Sequence, residues 1–376
     1  MESTDLMIPR TALLIHGGPQ SVEAIRARGL TQGLPAERLL FLYREGTRQE
    51  TLAHWENAIA EWQPDLLYLL NTAMPGCALA LKLNWLKGLP YLLDTGDVIY
   101  EMAQSAGTTP WWKIPALGLI EELTQARAAG IIVRGSKHRE HLVQSGFTQV
   151  HLIRDGCSPA PSPAPAEVSE LKKRLGLTAP LIVGLMGSLT FSPALQICYG
   201  WDLVEALAQL PEEQVQCVII GDGNGRAWLE EKAKSSGVWS RIRFCGRIPY
   251  AQVPLYLRVL DVALSTQTNN LAGQVRTTGK LPEYMAAGCY ILASRVGDAE
   301  VLLPRGMTLE YQGAVDVHYP ARLAARIHEL IDHPEQLRER EELPALAQRH
   351  CAYERLAEAF RQVLQETWSR QKQKPA

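Results

Sequence analysis

The chain has 376 residues, 46% of them hydrophobic and 21% charged, with a formal charge of −2. That length suffices for two domains of ordinary size, each with its own core, and a near-neutral balance speaks against a general nucleic-acid binder, which is usually markedly basic. The seven cysteines, Cys77, Cys157, Cys198, Cys217, Cys245, Cys289 and Cys351, include no C-x-x-C pair and mostly sit in apolar runs, so they read as reduced, buried thiols and not as a disulfide framework or zinc site.

The opening MESTDLMIPR carries acids and no apolar core, unlike a secretory signal. No uninterrupted apolar run reaches the ~20 residues of a membrane span. These features predict a soluble, cytoplasmic protein that at most rests on the inner membrane surface.

Strands are predicted at TALLIHGG (11–18), PDLLYLL (64–70), PYLLD (90–94), AGIIVRG (129–135) and, more weakly, VHLIRDG (150–156). Amphipathic stretches such as SKHREHLVQSG (136–146) lie between several of them. Continuous apolar strands alternating with helices mark a parallel sheet covered on both faces. The run CSPAPSPAPAEV (157–168) reads as an extended, stiff linker. Beyond it the alternation resumes, with strands at PLIVGLMGS (180–188), VQCVIIGDG (215–223), IRFCG (242–246), DVALS (261–265) and CYILAS (289–294), then a charged helical tail from about 344 to 372. The pattern predicts α/β architecture in two doubly wound, Rossmann-like domains, 1–160 and 161–349, with a final helix within 350–376 able to pack back on the first. Ligands of open α/β sheets bind beyond the carboxyl ends of the strands, so the cleft between domains is the expected site.

Within TTGKLPEYMAAGCYILAS (277–294) a helix is expected to open at Pro282, whose missing N–H costs nothing in a first turn. Its free amides and dipole form an anion site. Lys280 adds a point charge suited to phosphate, and Glu283 an acceptor suited to ribose hydroxyls. A solvated lysine beside a dipole-satisfying glutamate remains the alternative.

GKLPEYMAAGCYILAS followed by VGDAEVL resembles the donor-site signature of family 4 (group 1) glycosyltransferases, enzymes of the two-domain GT-B fold. Residues 218–265 repeat that family's order of strand, G-x-G turn, helix, F-x-G loop, helix and D-V strand, and GIIVRGSKHREHLVQSG with IRDG resembles its last N-domain segments. The resemblance covers mainly 180–300, and more loosely 88–156. It implies a nucleotide-diphosphate sugar as donor, UDP-sugar favoured over GDP-sugar, with retention and with no metal or other cofactor. It assigns the donor ribose to Glu283 and the diphosphate to Lys280 and Leu281. Arg247 and Ile248 in CGRIP fall beside the base, Gly187 and Ser188 near the phosphates, and Gly17 and Gly18 on the N-domain turn facing the sugar-phosphate.

Two departures stand out. The family's second glutamate, eight positions before the ribose glutamate, is Val275 here, and GSLTFSPALQICYG (187–200) lacks the arginine and lysine many relatives carry. Arg276 is expected to help Lys280 supply the missing charge. In PYLLDTGDVIYE (90–101), Asp97 is the expected catalytic carboxylate alongside Lys280, with Asp94 and His16 on the acceptor side; helix capping by one of these acids is the competing explanation. Trp111 and Trp112, with Lys113 beside them, suit a headgroup zone or ordinary packing under a loop. The expected activity is hexosyl transfer to an unidentified acceptor. The alternatives are a GT-B partner subunit with a degraded donor site and a sugar-nucleotide epimerase.

Overall fold

The computed structural model describes residues 8–157, 162–277 and 279–373. The apolar runs of the first half form six parallel strands: β1 (Thr11–Ile15), β2 (Leu39–Tyr43), β3 (Leu66–Leu70), β4 (Tyr91–Thr95), β5 (Gly130–Val133) and β6 (Val150–Leu152), in the order β2-β1-β3-β4-β5-β6. Alternate residues feed opposite faces, as strand geometry requires. Leu14, Leu67, Leu69 and Leu93 enter one core, while Leu13, Leu66, Tyr68 and Leu92 enter the other.

The second half contributes β7 (Leu181–Met186), a two-residue-per-strand hairpin of β8 (Phe191–Ser192) and β9 (Ile197–Cys198), and then β10 (Val215–Ile220), β11 (Ile242–Gly246), β12 (Val262–Ser265), β13 (Tyr290–Ser294) and β14 (Thr308–Leu309). Apart from the hairpin these form a parallel sheet ordered β11-β10-β7-β12-β13-β14. Strand order reverses between β1 and β3 in one sheet and between β7 and β12 in the other, and such reversals open a crevice at the strand ends. The fold is α/β of the GT-B type.

The predicted strands all form, and two sheet strands were not anticipated. β2 is a half-exposed edge strand, and β14 holds only two residues. The run 157–168 is not extended throughout. A helix, Pro165–Arg174, starts inside it, with proline at its first position and the Glu167 carboxylate accepting from the Ala164 N–H at 2.9 Å. Proline ends a helix only in its interior, so the Pro-Ala alternation did not forbid a start there. Residues 158–161 of that expected linker lie outside the described residues.

The chain finally returns to the first half. Helix Tyr353–Lys372 lays Tyr353, Phe360 and Leu364 into the core on one face of the first sheet, with the Phe360 ring 4.8 Å from that of Tyr68. The return passes beside the outgoing segment: Cys157 N–H donates to Cys351 O at 2.8 Å, and Tyr353 N–H to Cys157 O at 3.3 Å. The two crossings between halves therefore run side by side.

Candidate functional site

The end of β7 and the helix Lys280–Ala287 meet at the second sheet's reversal point. The helix opens two residues before Pro282, at Lys280, so proline occupies its third position. Its free amides are those of the residues ahead of Pro282, whose ring nitrogen has none to offer. Leu281 is buried in the core, which leaves only its backbone for a ligand.

Lys280 Nζ sits 3.7 Å from the centre of the Tyr199 ring, and a Cβ added at Gly187 would stand 3.4 Å from it. Among the described residues it joins no ion pair. Burial, then the positive charge of Arg276, bring its pKa down to about 7, against the opposing pull of Asp202. The site thus holds a lysine with no ion-pair partner among the described residues, its charge only partly offset by Asp202, a setting that favours a bound oxyanion.

Glu283, half-buried in the same first turn, accepts from Tyr250 Oη at 2.6 Å, and burial raises its pKa. Tyr250 follows Arg247 and Ile248 on the loop after β11; Arg247 is exposed and Ile248 packs on the core. The loop carrying Arg247 and Ile248 is therefore tied to Glu283. Ser188 is exposed after β7, its hydroxyl 3.1 Å from that of Thr190. Gly221 opens the turn after β10 with φ +134°, and a Cβ there would lie 1.9 Å from Gly187 O. Only glycine lets the two turns approach so closely.

From the first half, Asp97 reaches across: its Oδ1 is 3.3 Å from Nε of exposed Arg276. Further bridges hold the halves together. Ser136 N–H and Oγ donate to Asp298 Oδ1 at 2.7 and 2.6 Å, and Arg154 Nε pairs with Asp298 Oδ2 at 2.9 Å. Gly17 and Gly18 form the turn after β1, where Gly17 O accepts from Arg44 N–H at 3.3 Å. His16 beside them packs edge-on to Trp55 at 5.5 Å, and burial followed by the Arg44 charge lowers its pKa to about 4.

Asp94 departs from expectation. It is fully buried, and its carboxylate is shared by Arg26 (2.8 Å), Arg134 Nε (3.0 Å) and the Tyr68 hydroxyl (2.5 Å). Burial alone would raise its pKa, but the two arginines outweigh it and hold the carboxyl below the usual range. An acid so enclosed ties three elements together and has no face left for an acceptor.

Comparison with known proteins bears on this geometry. Residues 183–333 match the family described as Glycosyl transferases group 1. Over that stretch the chain is similar to the group 1 glycosyltransferases. It is 28% identical over 221 residues to the 2-deoxystreptamine glucosyltransferase of Streptomyces kanamyceticus, a match covering 56% of this chain and 54% of that one, so it spans about half the length of the curated relative. In fold it is similar to Anabaena HepE, solved in complex with UDP-glucose (TM-score 0.73, 17% identity, 95% of this chain and 99% of that chain). It is likewise similar to sucrose-phosphate synthase from Thermosynechococcus elongatus (TM-score 0.75, 16% identity, 96% and 99%).

Val275 is buried and offers no acceptor where many relatives have a glutamate. Sequence reasoning missed Tyr199 and Tyr250. Tyr250 directly follows the CGRIP loop and could have been suspected. Tyr199 reaches Lys280 only because the short β8–β9 hairpin folds the intervening segment back, which no local pattern announced.

Proposed function

We propose that the chain is a hexosyltransferase that moves a sugar from a nucleotide-diphosphate sugar, UDP-sugar in preference to GDP-sugar, to an acceptor seated against the first sheet, with retention and without a metal. The observation that carries this reading is Lys280, unpaired beside Gly187 and in the same helical turn as Glu283. Lys280, the helix amides and Arg276 would meet the charge that develops on the leaving diphosphate, the kind of electrostatic stabilisation that dominates such reactions. Glu283, aimed by Tyr250, would accept from the ribose hydroxyls. Asp97 would orient sugar hydroxyls or assist proton transfer from the acceptor. The UDP-glucose complex of similarly folded HepE and the name of the curated glucosyltransferase relative support the choice of donor.

Among the described residues no helix is long and apolar enough to cross a membrane. A cytoplasmic setting with peripheral membrane contact belongs to the same proposal. Trp111 and Trp112 are 82% and 62% exposed, with Lys113 Nζ 4.8 Å from the Trp112 ring.

Val275 and the uncharged 187–200 segment favour a second reading, a partner subunit with a weakened donor site. Thermal unfolding with UDP, GDP, ADP and dTDP decides between them. A ligand at a hundredfold excess over its Kd adds roughly 2.7 kcal/mol. A rise in Tm with UDP that disappears in a Lys280→Ala, Glu283→Ala variant supports the transferase, and no rise with any nucleotide favours the partner subunit. Product analysis with a UDP-sugar separates transfer from epimerisation.

A further inference from the structure

The reversal point of the first sheet holds a pocket of about 100 Å³ lined by His16 after β1, by Arg44, Arg48 and Thr51, and by the start of helix Met74–Lys87 after β3. Neither guanidinium joins an ion pair or a side-chain hydrogen bond among the described residues. Two nearby acids are engaged elsewhere: Glu50 Oε2 accepts from the Thr47 N–H at 2.7 Å, closing the cap of helix Arg48–Trp62, and Glu23 Oε1 accepts from Asn71 Nδ2 at 3.1 Å, while Glu45, beside Arg44 in the chain, is exposed.

The remaining wall is also unsatisfied. His16 Nε2 is buried without a hydrogen-bond partner. The ring lies directly over the helix start, since a Cβ added at Gly76 would be 2.7 Å from that nitrogen. Ala73 gives the helix no side-chain cap and Pro75 has no N–H, so the amides left for a ligand are those of Met74 and Gly76. The ring is held from behind by Trp55, whose indole N–H donates to Tyr43 O at 2.9 Å. Two uncommitted guanidiniums, an uncapped helix start and a held imidazole line one small cavity, a combination suited to an oxyanion.

We propose that this pocket holds an oxyanion of the acceptor, a phosphate or carboxylate group, clasped by Arg44 and Arg48 beside the Gly17–Gly18 turn. The assignment of that anion to the acceptor rests on the transferase reading above. The cavity accommodates one such group, which favours an anionic small molecule over a lipid surface.

Isothermal titration of the full chain with inorganic phosphate, with acetate and with phosphatidylglycerol vesicles tests this. Saturable binding of phosphate or acetate is expected, weakened about tenfold or more in an Arg44→Gln, Arg48→Gln variant. Both side chains are exposed and unpaired, so the variant should fold, and its UDP binding should match wild type. Absence of saturable binding of either free anion, or binding unchanged in the variant, overturns the pocket. Vesicle binding without free-anion binding overturns it too and assigns the charge to a membrane. Loss of UDP binding in the wild type would instead sink the transferase reading, leaving the anion result to stand or fall by itself.

Discussion

Arg276 Nε stands 3.3 Å from Asp97 Oδ1, joining the segment that precedes helix Lys280–Ala287 to the loop after β4 of the other sheet. The pair is half open to solvent on the arginine side, so as a structural tie it contributes only about 0–1 kcal/mol. Asp97→Asn should therefore leave Tm nearly unchanged. If the carboxylate orients or deprotonates the acceptor, kcat should fall by about a hundredfold or more. An unchanged kcat would reduce Asp97 to a tether between the halves.

Lys280 predicts a pH dependence of donor binding. Its folded pKa of about 7 lies below the ordinary lysine value of 10.5, and a diphosphate would raise it again. UDP binding above pH 7 should then take up about one proton. Titration in buffers of different ionisation enthalpy measures this, and Lys280→Met should abolish the uptake. The sign for stability follows the same values. Between pH 7 and 10.5 the unfolded chain holds a proton the folded chain lacks, so this group makes the free protein more stable as pH rises. Lys280→Met should gain stability over wild type below pH 7 and lose that advantage by pH 10.5, as read from denaturant midpoints.

Removing the buried carboxylate has a different signature. Asp94→Ala removes the closest acid of Arg26 and Arg134 and leaves them only the longer contacts to Asp155, at 3.5 and 3.7 Å, so it should cost about 3 kcal/mol, the lower end for a broken buried pair. The depressed Asp94 pKa adds that its contribution is present above the ordinary carboxylate range and is lost as pH falls through its lower folded value. Urea unfolding should show the loss, while UDP affinity of the fraction still folded stays at wild type.

Tyr250→Phe should weaken UDP-sugar binding about tenfold by releasing Glu283, with little change in Tm because the pair lies near the surface. A KM equal to wild type would mean that Glu283 is aimed without its partner.

The second sheet was legible because its strands are unbroken apolar runs bounded by glycine turns, and the Lys280–Glu283 turn because its residues keep their spacing from β13. Other features were hidden for definable reasons. A carboxylate at a strand end looks the same in sequence whether it faces a cleft or a buried network. Asp94 was misassigned because Arg26, Arg134 and Tyr68 come from three separate elements. Pro282 marks a first turn but not which residue of it, hence the displaced helix start. Arg44 and Arg48 follow β2, a strand not anticipated, so no strand-end argument pointed to them.

Helix Tyr353–Lys372, the last element, completes the first core. During synthesis the β1–β6 sheet leaves the ribosome with the face of Leu13, Tyr68 and Leu92 covered only in part, by helix Val22–Thr31, until residues 353–372 follow. Domains generally fold as they emerge, but this one must wait for the other to be translated first. Chains that terminate before residue 353 would expose part of an apolar sheet face, making premature release, rather than loss of any site residue, the route by which truncation leads to aggregation.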